Sequence, residues 1–350
     1  MMHFNLLLTG AGAPGGPGII KALQGSAQLK LVVADADAMA AGRFLNDEFE
    51  QIPMADDPQF ISEIKRLCLK HKIQLVFPLV TKELFLFAQH KAAFLEMGVK
   101  VMVSDDALLQ LANNKSKLYR HLQQNQLVVP DFFVVNTIEE FREAAQKLGY
   151  PAQAFCFKPS VSNGSRGFRV VSNAISEFDL LFNTKPNSTF MRYEKACEIL
   201  SSQPFPELLV SEYLPGEEYT IDTIIKNGTP QLILPRRRLQ MREGISINGE
   251  FVNHQPIIEY CRNILATLPL HGPIGLQVKQ ATDGTFKLLE INPRIQGTSV
   301  AAMGLNINLP LIAVMQEFDL EQELLPKEIA WGTKFMRYYN EVFSRPPAGI

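Results

Sequence analysis

The chain has 350 residues, enough for two or three domains with well-filled cores. Hydrophobic residues make up 46% and charged residues 20%, which is ordinary for a soluble globular protein. A formal net charge of −2 argues against a nucleic-acid or membrane surface as the partner. We find neither a signal peptide nor an apolar stretch long enough to span a membrane. Cys68, Cys156, Cys197 and Cys261 are scattered without a CxxC pair, which favours reduced thiols in a cytoplasmic protein over a disulfide or zinc framework.

Strand and helix patterns alternate from the N-terminus to about residue 104. The predicted strands are Asn5–Thr9, Leu31–Ala34, Leu75–Pro78 and Val99–Val103. Such alternation predicts a parallel sheet that is covered on both faces. After a boundary near Asn113-Asn114, and especially beyond Leu148-Gly149, the pattern becomes rich in strands, glycine and proline. This change predicts a second domain with an antiparallel sheet and helices on one side.

The first strand runs into a glycine-rich turn, Gly10–Gly18, that opens a helix. This is the position of a dinucleotide-binding fingerprint, and Asp35 ends the next strand where a ribose ligand would lie. The spacing departs from a clean GxGxxG, and two prolines crowd the turn. The turn therefore leaves two interpretations open: nicotinamide binding, or a substrate-facing or purely structural turn.

A second candidate site lies on the strand Leu288–Asn292, which Pro293 ends. Side chains alternate across a strand, so Glu290 and Asn292 share one face and offer oxygen atoms suited to Mg²⁺. Asp283-Gly284 predicts a two-residue hairpin loop, and counting back from it places Gln277 opposite Glu290. A solvated outer face of an antiparallel sheet would give the same alternation.

Three further segments carry candidate anion-binding groups. Lys158 ends a strand and is followed by the hairpin loop Ser160–Gly167, whose backbone N–H groups can meet an anion. Glu212 enters a strand-to-turn backbone that offers a donor and an acceptor to a flat base, and Glu218 follows on the next strand. The run Pro235–Arg242 contains four arginines in a near-neutral chain, which favours an internal anion site.

Taken in order, these motifs resemble the ATP-grasp superfamily, and the chain is similar to its short, carbamoyl-phosphate-synthase-like branch of carboxylate–amine ligases. The resemblance implies an α/β, Rossmann-like pre-ATP-grasp domain over residues 1–112. It implies an α+β ATP-grasp domain with an antiparallel sheet over residues 113–345. In that domain, residues 113–210 would include the nucleotide lid, and residues 211–345 would bind metal and substrate.

The resemblance also implies a role for each matching residue. Lys115 and Lys158 would contact the nucleotide phosphates, and Gly164, Ser165 and Gly167 would belong to the loop that closes over them. Glu212 with the Tyr213–Leu214 backbone would hold adenine, and Glu218 would hold the ribose. Gln277, Glu290 and Asn292 would ligate two Mg²⁺ ions, or Mn²⁺ in their place. Arg294, Arg238 and Lys158 would be the catalytic group, with Arg294 steadying the γ-phosphoryl group or acyl phosphate and Arg238 meeting the substrate.

The implied activity is ATP-dependent ligation of a small-molecule carboxylate to an amine through an acyl phosphate, with release of ADP and phosphate. The implied setting is cytoplasmic, without nucleic acid or membrane, and a homodimer is compatible with the family. Two alternatives stay open at this point. One is a nicotinamide-dependent oxidoreductase that uses Gly10–Gly18, and the other is an ATP-binding module without catalysis.

Overall fold

The computed structural model describes residues 3–162, 164, 166–183, 189–242 and 244–344. The described residues fall into two compact units. The first unit takes its residues from 1–110, 219–277 and 291–350, and the second from 111–218 and 278–290.

The N-terminal part of the first unit has the predicted alternation of strands and helices. Its strands are β1 (Phe4–Thr9), β2 (Leu29–Asp35), β3 (Phe49–Gln51), β4 (Leu75–Pro78) and β5 (Lys100–Val101). Its helices are α1 (Gly16–Gln24), α2 (Phe60–Lys70) and α3 (Thr81–Glu96), followed by α4 (Asp106–Asn113). The strands pair in parallel in the order β3-β2-β1-β4-β5, which confirms the predicted parallel sheet.

Both faces of this sheet are buried, which explains the continuous apolar runs in its strands. Leu7 and Val32 point into a cluster with residues of α2 and α3. Leu6 and Leu8 point the other way, into a cluster that includes Leu234 and residues from 295–314. The N-terminal sheet therefore shares its core with later parts of the chain that belong to the same unit.

The second unit contains a five-stranded sheet with helices. Its helices are α5 (Lys115–Gln124), α6 (Ile138–Lys147), α7 (Glu177–Phe182) and α8 (Tyr193–Ser202). Its strands are β6 (Phe132–Val135), β7 (Phe155–Pro159), β8 (Arg169–Val171), β9 (Phe190–Met191) and β10 (Leu208–Glu212). They lie in the order β6-β10-β7-β8-β9 and pair antiparallel except for β8 with β9. Thr137 and Glu140 form a capping box at the start of α6.

A third sheet has six strands in the order β15-β14-β11-β12-β13-β16. The strands are β11 (Glu218–Lys226), β12 (Thr229–Arg242), β13 (Ile245–Phe251), β14 (Gly272–Gln280), β15 (Phe286–Asn292) and β16 (Lys334–Met336). The pairs β11–β12, β12–β13 and β13–β16 are antiparallel, as predicted for this part of the chain. The remaining helices are α9 (Gln255–Ala266) and α10 (Leu309–Gln316).

No single helix among the described residues is long and apolar enough to cross a membrane. The 3₁₀ turn Ser299–Leu305 and α10 reach that length and hydropathy only when taken together, and they are bent by 105° at their junction.

Candidate active site

The second unit brings two lysines and one glutamate together. Lys115 is the first residue of α5, and its side chain is only 5% exposed. Its Nζ lies 3.6 Å from Oε2 of Glu290 on β15 and donates to the carbonyl of Ser162 at 2.8 Å. The backbone N–H of Lys115 donates to Ser160 at 2.8 Å, which ties the start of α5 to the loop after β7. Residues far apart in the sequence thus converge beside that loop.

Lys158, near the end of β7, lies next to this pair. Its Nζ donates to the carbonyl of Leu289 at 3.0 Å and lies 5.9 Å from the ring centroid of Tyr119. Tyr119 in turn donates its hydroxyl to the carbonyls of Leu288, at 2.7 Å, and Leu289, at 3.1 Å. The pKa of Lys158 is lowered to about 8, mainly by burial and also by repulsion from Lys115, against the attraction of Glu290. We call Lys115, Lys158 and Glu290 the lysine cluster.

The loop after β7 has the backbone that its glycines predict. Gly164 has φ +65° and Gly167 has φ +77°, in the left-handed region where side chains are disfavoured. A Cβ on Gly167 would also lie 2.6 Å from Cδ of Pro159, so no side chain fits there without a shift. Ser165, the third predicted member of this loop, lies outside the described residues.

The end of β10 holds the predicted adenine segment. The carboxylate of Glu212 accepts hydrogen bonds from the backbone of Asp131, at 2.8 Å, and from Lys287, at 2.5 Å. These contacts engage the Glu212 side chain and hold the strand end in place. In the part of the chain that the structure describes, the N–H of Leu214 donates to no acceptor, and the Leu214 side chain is buried.

Tyr213 of this segment and the nearby Glu218 both lie close to lysines. Tyr213 has the ammonium of Lys279 5.2 Å from its ring centroid. Glu218, the first residue of β11, lies close enough to Lys158 to favour its charged form. The predicted phosphate lysine and ribose glutamate are therefore neighbours in the second unit.

The hairpin between β14 and β15 differs from the prediction. Ala281 accepts from the N–H of Gly284 and donates to the carbonyl of Thr285, so the loop has three residues instead of two. Gly284 has φ +85°, as expected for a type I turn closed by a bulge. Ala281, and not Thr282, therefore pairs with Thr285, and the counting that placed Gln277 opposite Glu290 started from a wrong register.

The predicted metal ligands are one carboxylate and two amides. Gln277 and Asn292 are both half-exposed, and Glu290 is 27% exposed. Among the described residues, no group of three or more His, Cys, Asp and Glu side chains could hold a metal ion. The chemistry of the donor set fits a hard cation that takes most of its remaining ligands from phosphate oxygens and water.

Arg294 and Arg238, the predicted catalytic arginines, lie in the first unit. Arg294 donates from Nε to the hydroxyl of Thr81 at 2.9 Å and from Nη1 to its neighbour's carbonyl at 2.8 Å. Arg238 donates from Nε to Ser246 at 3.0 Å, and from Nη2 to the carbonyl of Gly244 at 2.5 Å. Both guanidinium groups are thus held in defined orientations.

The first unit contains a buried polar cluster around Arg236. Arg236 is fully buried, and its Nη2 contacts Asp222 Oδ2 at 3.0 Å and Thr298 Oγ1 at 2.8 Å. The other oxygen of Asp222 accepts from Ser299 at 2.6 Å and from Gln296 at 3.2 Å. The pairing of Thr220 with Arg236 shows that the strand faces carrying Asp222 and Arg236 coincide.

The glycine-rich turn Gly10–Gly18 is filled by protein packing. Asp35, the candidate ribose ligand, accepts from the N–H groups of Gly12, at 2.7 Å, and Asp37, at 2.9 Å. A Cβ on Gly15 would lie 2.5 Å from Cα of Gly297. The glycines therefore permit close approach of backbone to backbone. The carboxylate of Asp35 accepts hydrogen bonds from backbone N–H groups of the protein. Together these contacts remove the basis of the nicotinamide interpretation.

The amino-acid sequence matches two known family models and resembles curated proteins. Residues 6–102 match the family model "PylC-like, N-terminal domain", and residues 204–332 match "ATP-grasp in the biosynthetic pathway with Ter operon". The carbamoyl phosphate synthase large chain of Agathobacter rectalis is 26% identical over 219 residues, which cover 59% of this chain and 18% of that protein. The chain thus spans about a fifth of the length of such relatives.

Solved structures share the fold at low identity. N5-carboxyaminoimidazole synthetase from Staphylococcus aureus, complexed with ADP, superposes with a TM-score of 0.65 at 15% identity, covering 90% of this chain and 78% of that one. The L-amino acid ligase from Bacillus licheniformis gives a TM-score of 0.63 at 17% identity, covering 92% of this chain and 75% of that one. The chain therefore has a PylC-like N-terminal domain and an ATP-grasp domain, and it shares its fold with these solved structures.

Proposed function

We propose that this chain is an ATP-dependent carboxylate–amine ligase that works through an acyl phosphate. The lysine cluster is the observation that supports this most. Two buried or half-buried ammonium groups share one carboxylate, and burial, together with their repulsion, lowers the pKa of Lys158 to about 8. A polyphosphate bound there would relieve this excess of positive charge and would raise that pKa.

The chemistry proposed has two steps. A carboxylate oxygen of the acid substrate attacks the γ-phosphorus of ATP, the bond from that phosphorus to the β,γ-bridging oxygen breaks, and ADP leaves. The amine nitrogen then attacks the acyl carbon, the bond from that carbon to the phosphate oxygen breaks, and inorganic phosphate leaves with loss of the amine proton to solvent. The protein contributes mainly positioning and charge neutralisation, as is usual in phosphoryl transfer.

Each candidate residue has a proposed part in these steps. Lys115 and Lys158 hold the phosphates, under a loop whose glycines are Gly164 and Gly167 and whose predicted hydroxyl is Ser165. The backbone at Glu212, Tyr213 and Leu214 receives adenine, and Glu218 receives the ribose. Arg294 steadies the transferring phosphoryl group, and Arg238 orients the acid. Closure of the loop would exclude water, which otherwise hydrolyses an acyl phosphate.

The proposed ligands of Mg²⁺ are Glu290, Asn292 and Gln277. The resemblance to the family implies two such ions, or Mn²⁺ in their place. When bound, the metal would neutralise phosphate charge and help the leaving group. Because two of the three ligands are neutral amides, we expect the protein alone to hold metal weakly and the metal to arrive with the nucleotide.

The proposed partners are a small-molecule acid and an amine, in a cytoplasmic enzyme that forms a homodimer. All four cysteines are free thiols, as a reducing compartment requires. Sedimentation of the purified chain measures the dimer directly, and a monomer at micromolar concentration would contradict that part of the proposal.

A substrate screen tests the function. Carboxylates are combined with amines in the presence of ATP and Mg²⁺, and ADP release and product mass are recorded. A ligase releases ADP only when both an acid and an amine are present, and the product mass equals acid plus amine minus water. Glu290→Gln should reduce turnover by a factor of about 100 or more, since it removes the only charged metal ligand.

Two controls separate this result from loss of folding and from simple binding. Glu143→Gln alters an exposed glutamate of α6, and we expect it to keep full turnover. Thermal stabilisation by ATP without ADP release from any pair would instead identify an ATP-binding module without catalysis.

A further inference from the structure

The buried guanidinium of Arg236 carries donors that no part of the described chain satisfies. Its Nε and Nη1 have no hydrogen-bond partner, although the residue is 0% exposed. Only Nη2 is used, by Asp222 and Thr298. Buried donors are nearly always paired, so this unpaired edge calls for acceptor oxygens.

The local charge is also unbalanced. Within the described ranges, Asp222 is the one acid in contact with Arg236, and its second oxygen accepts from Ser299 and Gln296. Burial lowers the pKa of Arg236, and the nearby Arg238 and Arg337 lower it further, against the attraction of Asp222. A buried cation without full compensation is costly, so an additional anion at this point would be favourable.

The cover over Arg236 is a small, peripheral strand. The guanidinium carbon lies 5.8 Å from the ring centroid of Phe251 and 5.1 Å from that of Phe335. Phe335 lies on β16, an edge strand of three residues that pairs with β13 alone. Few hydrogen bonds need to break for β16 to move, because the strand is short and its flanks Lys334 and Met336 are exposed.

We propose that Arg236, with Arg238 beside it on the same face of β12, is the receptor for an anionic group of the substrate, a carboxylate or a phosphate, which enters when β16 moves Phe335 aside. The assignment of this anion to the acid substrate depends on the ligase function proposed above. Binding of the anion itself does not, because it requires neither ATP nor turnover. The two proposals can therefore fail separately.

The fluorescence of Trp331 can report displacement of β16. Trp331 is the only tryptophan, and it lies three residues before β16. Its neighbour Gly332 donates to the carbonyl of Phe251 at 2.7 Å, which links this segment to the second ring that packs against Arg236. Displacement of β16 should therefore change the emission of Trp331.

Anion titration without nucleotide tests the proposal. Sodium succinate, sodium acetate and inorganic phosphate are added at constant ionic strength, and Trp331 emission and thermal unfolding are followed. We expect a saturable response to succinate or to phosphate, and the stronger of the two identifies the anion class. Arg236→Met should weaken the response at least tenfold, while Arg236→Lys should restore part of it.

Arg237→Met is the matched control. Arg237 is adjacent on β12, points to the other face, and pairs with Glu250 at 2.8 Å, so this variant should keep the full response. Absence of any response in the unaltered chain, or equal responses in it and Arg236→Met, would overturn the proposal.

A second variant covers the case in which Arg236→Met does not fold. Phe335→Ala keeps the charge and removes the cover, so we expect anion affinity to rise at least threefold. Unchanged or weaker affinity in Phe335→Ala would show that access to Arg236 does not limit binding, and it would overturn the part assigned to β16.

Discussion

Replacing Lys158 by methionine should stabilise the unliganded protein while removing its response to ATP. A free lysine has a pKa of 10.5, and that of Lys158 is lowered to about 8, mainly because burial disfavours its charge. This difference corresponds to roughly 3 kcal/mol of unfavourable free energy for the charged form, part of which solvent screening removes. Loss of the hydrogen bond from Lys158 to the Leu289 carbonyl costs about 1–2 kcal/mol, which offsets part of this gain. That carbonyl still accepts a hydrogen bond from the hydroxyl of Tyr119.

The expected net effect is therefore a gain of about 1 kcal/mol in the free energy of unfolding at pH 7. The sign with pH follows from proton binding. Below pH 8 both folded and unfolded states carry the charge, and between about 8 and 10.5 only the unfolded state holds the proton, so the stability of the unaltered chain rises with pH in that window. The advantage of Lys158→Met should then shrink as pH increases through it.

Urea unfolding at pH 7 and pH 9.5 measures both quantities, and thermal shift with Mg²⁺ and ATP measures binding. Lys147→Met is the matched control, since Lys147 is an exposed lysine of the same unit that pairs with Glu143. The reasoning is refuted if Lys158→Met is less stable than the unaltered chain at pH 7, or if it keeps the full thermal shift with ATP.

Three further predictions use other parts of the molecule. Glu290→Gln should leave the unfolding temperature within a few degrees of the unaltered value while ADP release falls by a factor of about 100, so a collapse of both would assign Glu290 to folding instead. Gly15→Ala should lower the free energy of unfolding by at least about 2 kcal/mol, because its Cβ would lie 2.5 Å from Cα of Gly297. The control Gly25→Ala meets nothing closer than 3.8 Å and should be nearly neutral, so equal urea midpoints for the two variants would contradict this. Burial raises the pKa of Glu83 to about 7, so the free energy of unfolding of the unaltered chain falls as pH rises from about 4.5 to 7. Glu83→Gln should remove this dependence on pH and should be more stable than the unaltered chain at pH 8, as measured by urea unfolding.

Local patterns predicted the strands of the N-terminal sheet. Those at Asn5–Thr9 and Leu75–Pro78 depend on short apolar runs, and both are present as β1 and β4. Short, weak elements escaped the same reasoning. β3 has three residues and α2 begins without a side-chain cap, so neither has a strong local signal.

The hairpin after β14 shows how a local signal can be misread. Asp283-Gly284 correctly predicts a reversal of the chain, but the same dipeptide fits loops of two or three residues. Here Gly284 adopts a positive φ in a three-residue loop, and the pair that closes the loop is Ala281–Thr285 instead of Thr282–Thr285. Cross-strand partners counted from a turn therefore need the structure.

The sequence by itself determined the order of the strands and helices, the parallel and antiparallel character of the sheets, and the residue types available to hold phosphate. These depend on periodicity and turn chemistry, which act over a few residues. Tertiary structure alone decided which distant groups meet. It brought Lys115 within 3.6 Å of Glu290, packed Gly15 against Gly297, and buried Arg236 beside the rings of Phe251 and Phe335. Burial, pairing and pKa depend on such meetings, because desolvation and Coulomb energy act through space and not along the chain.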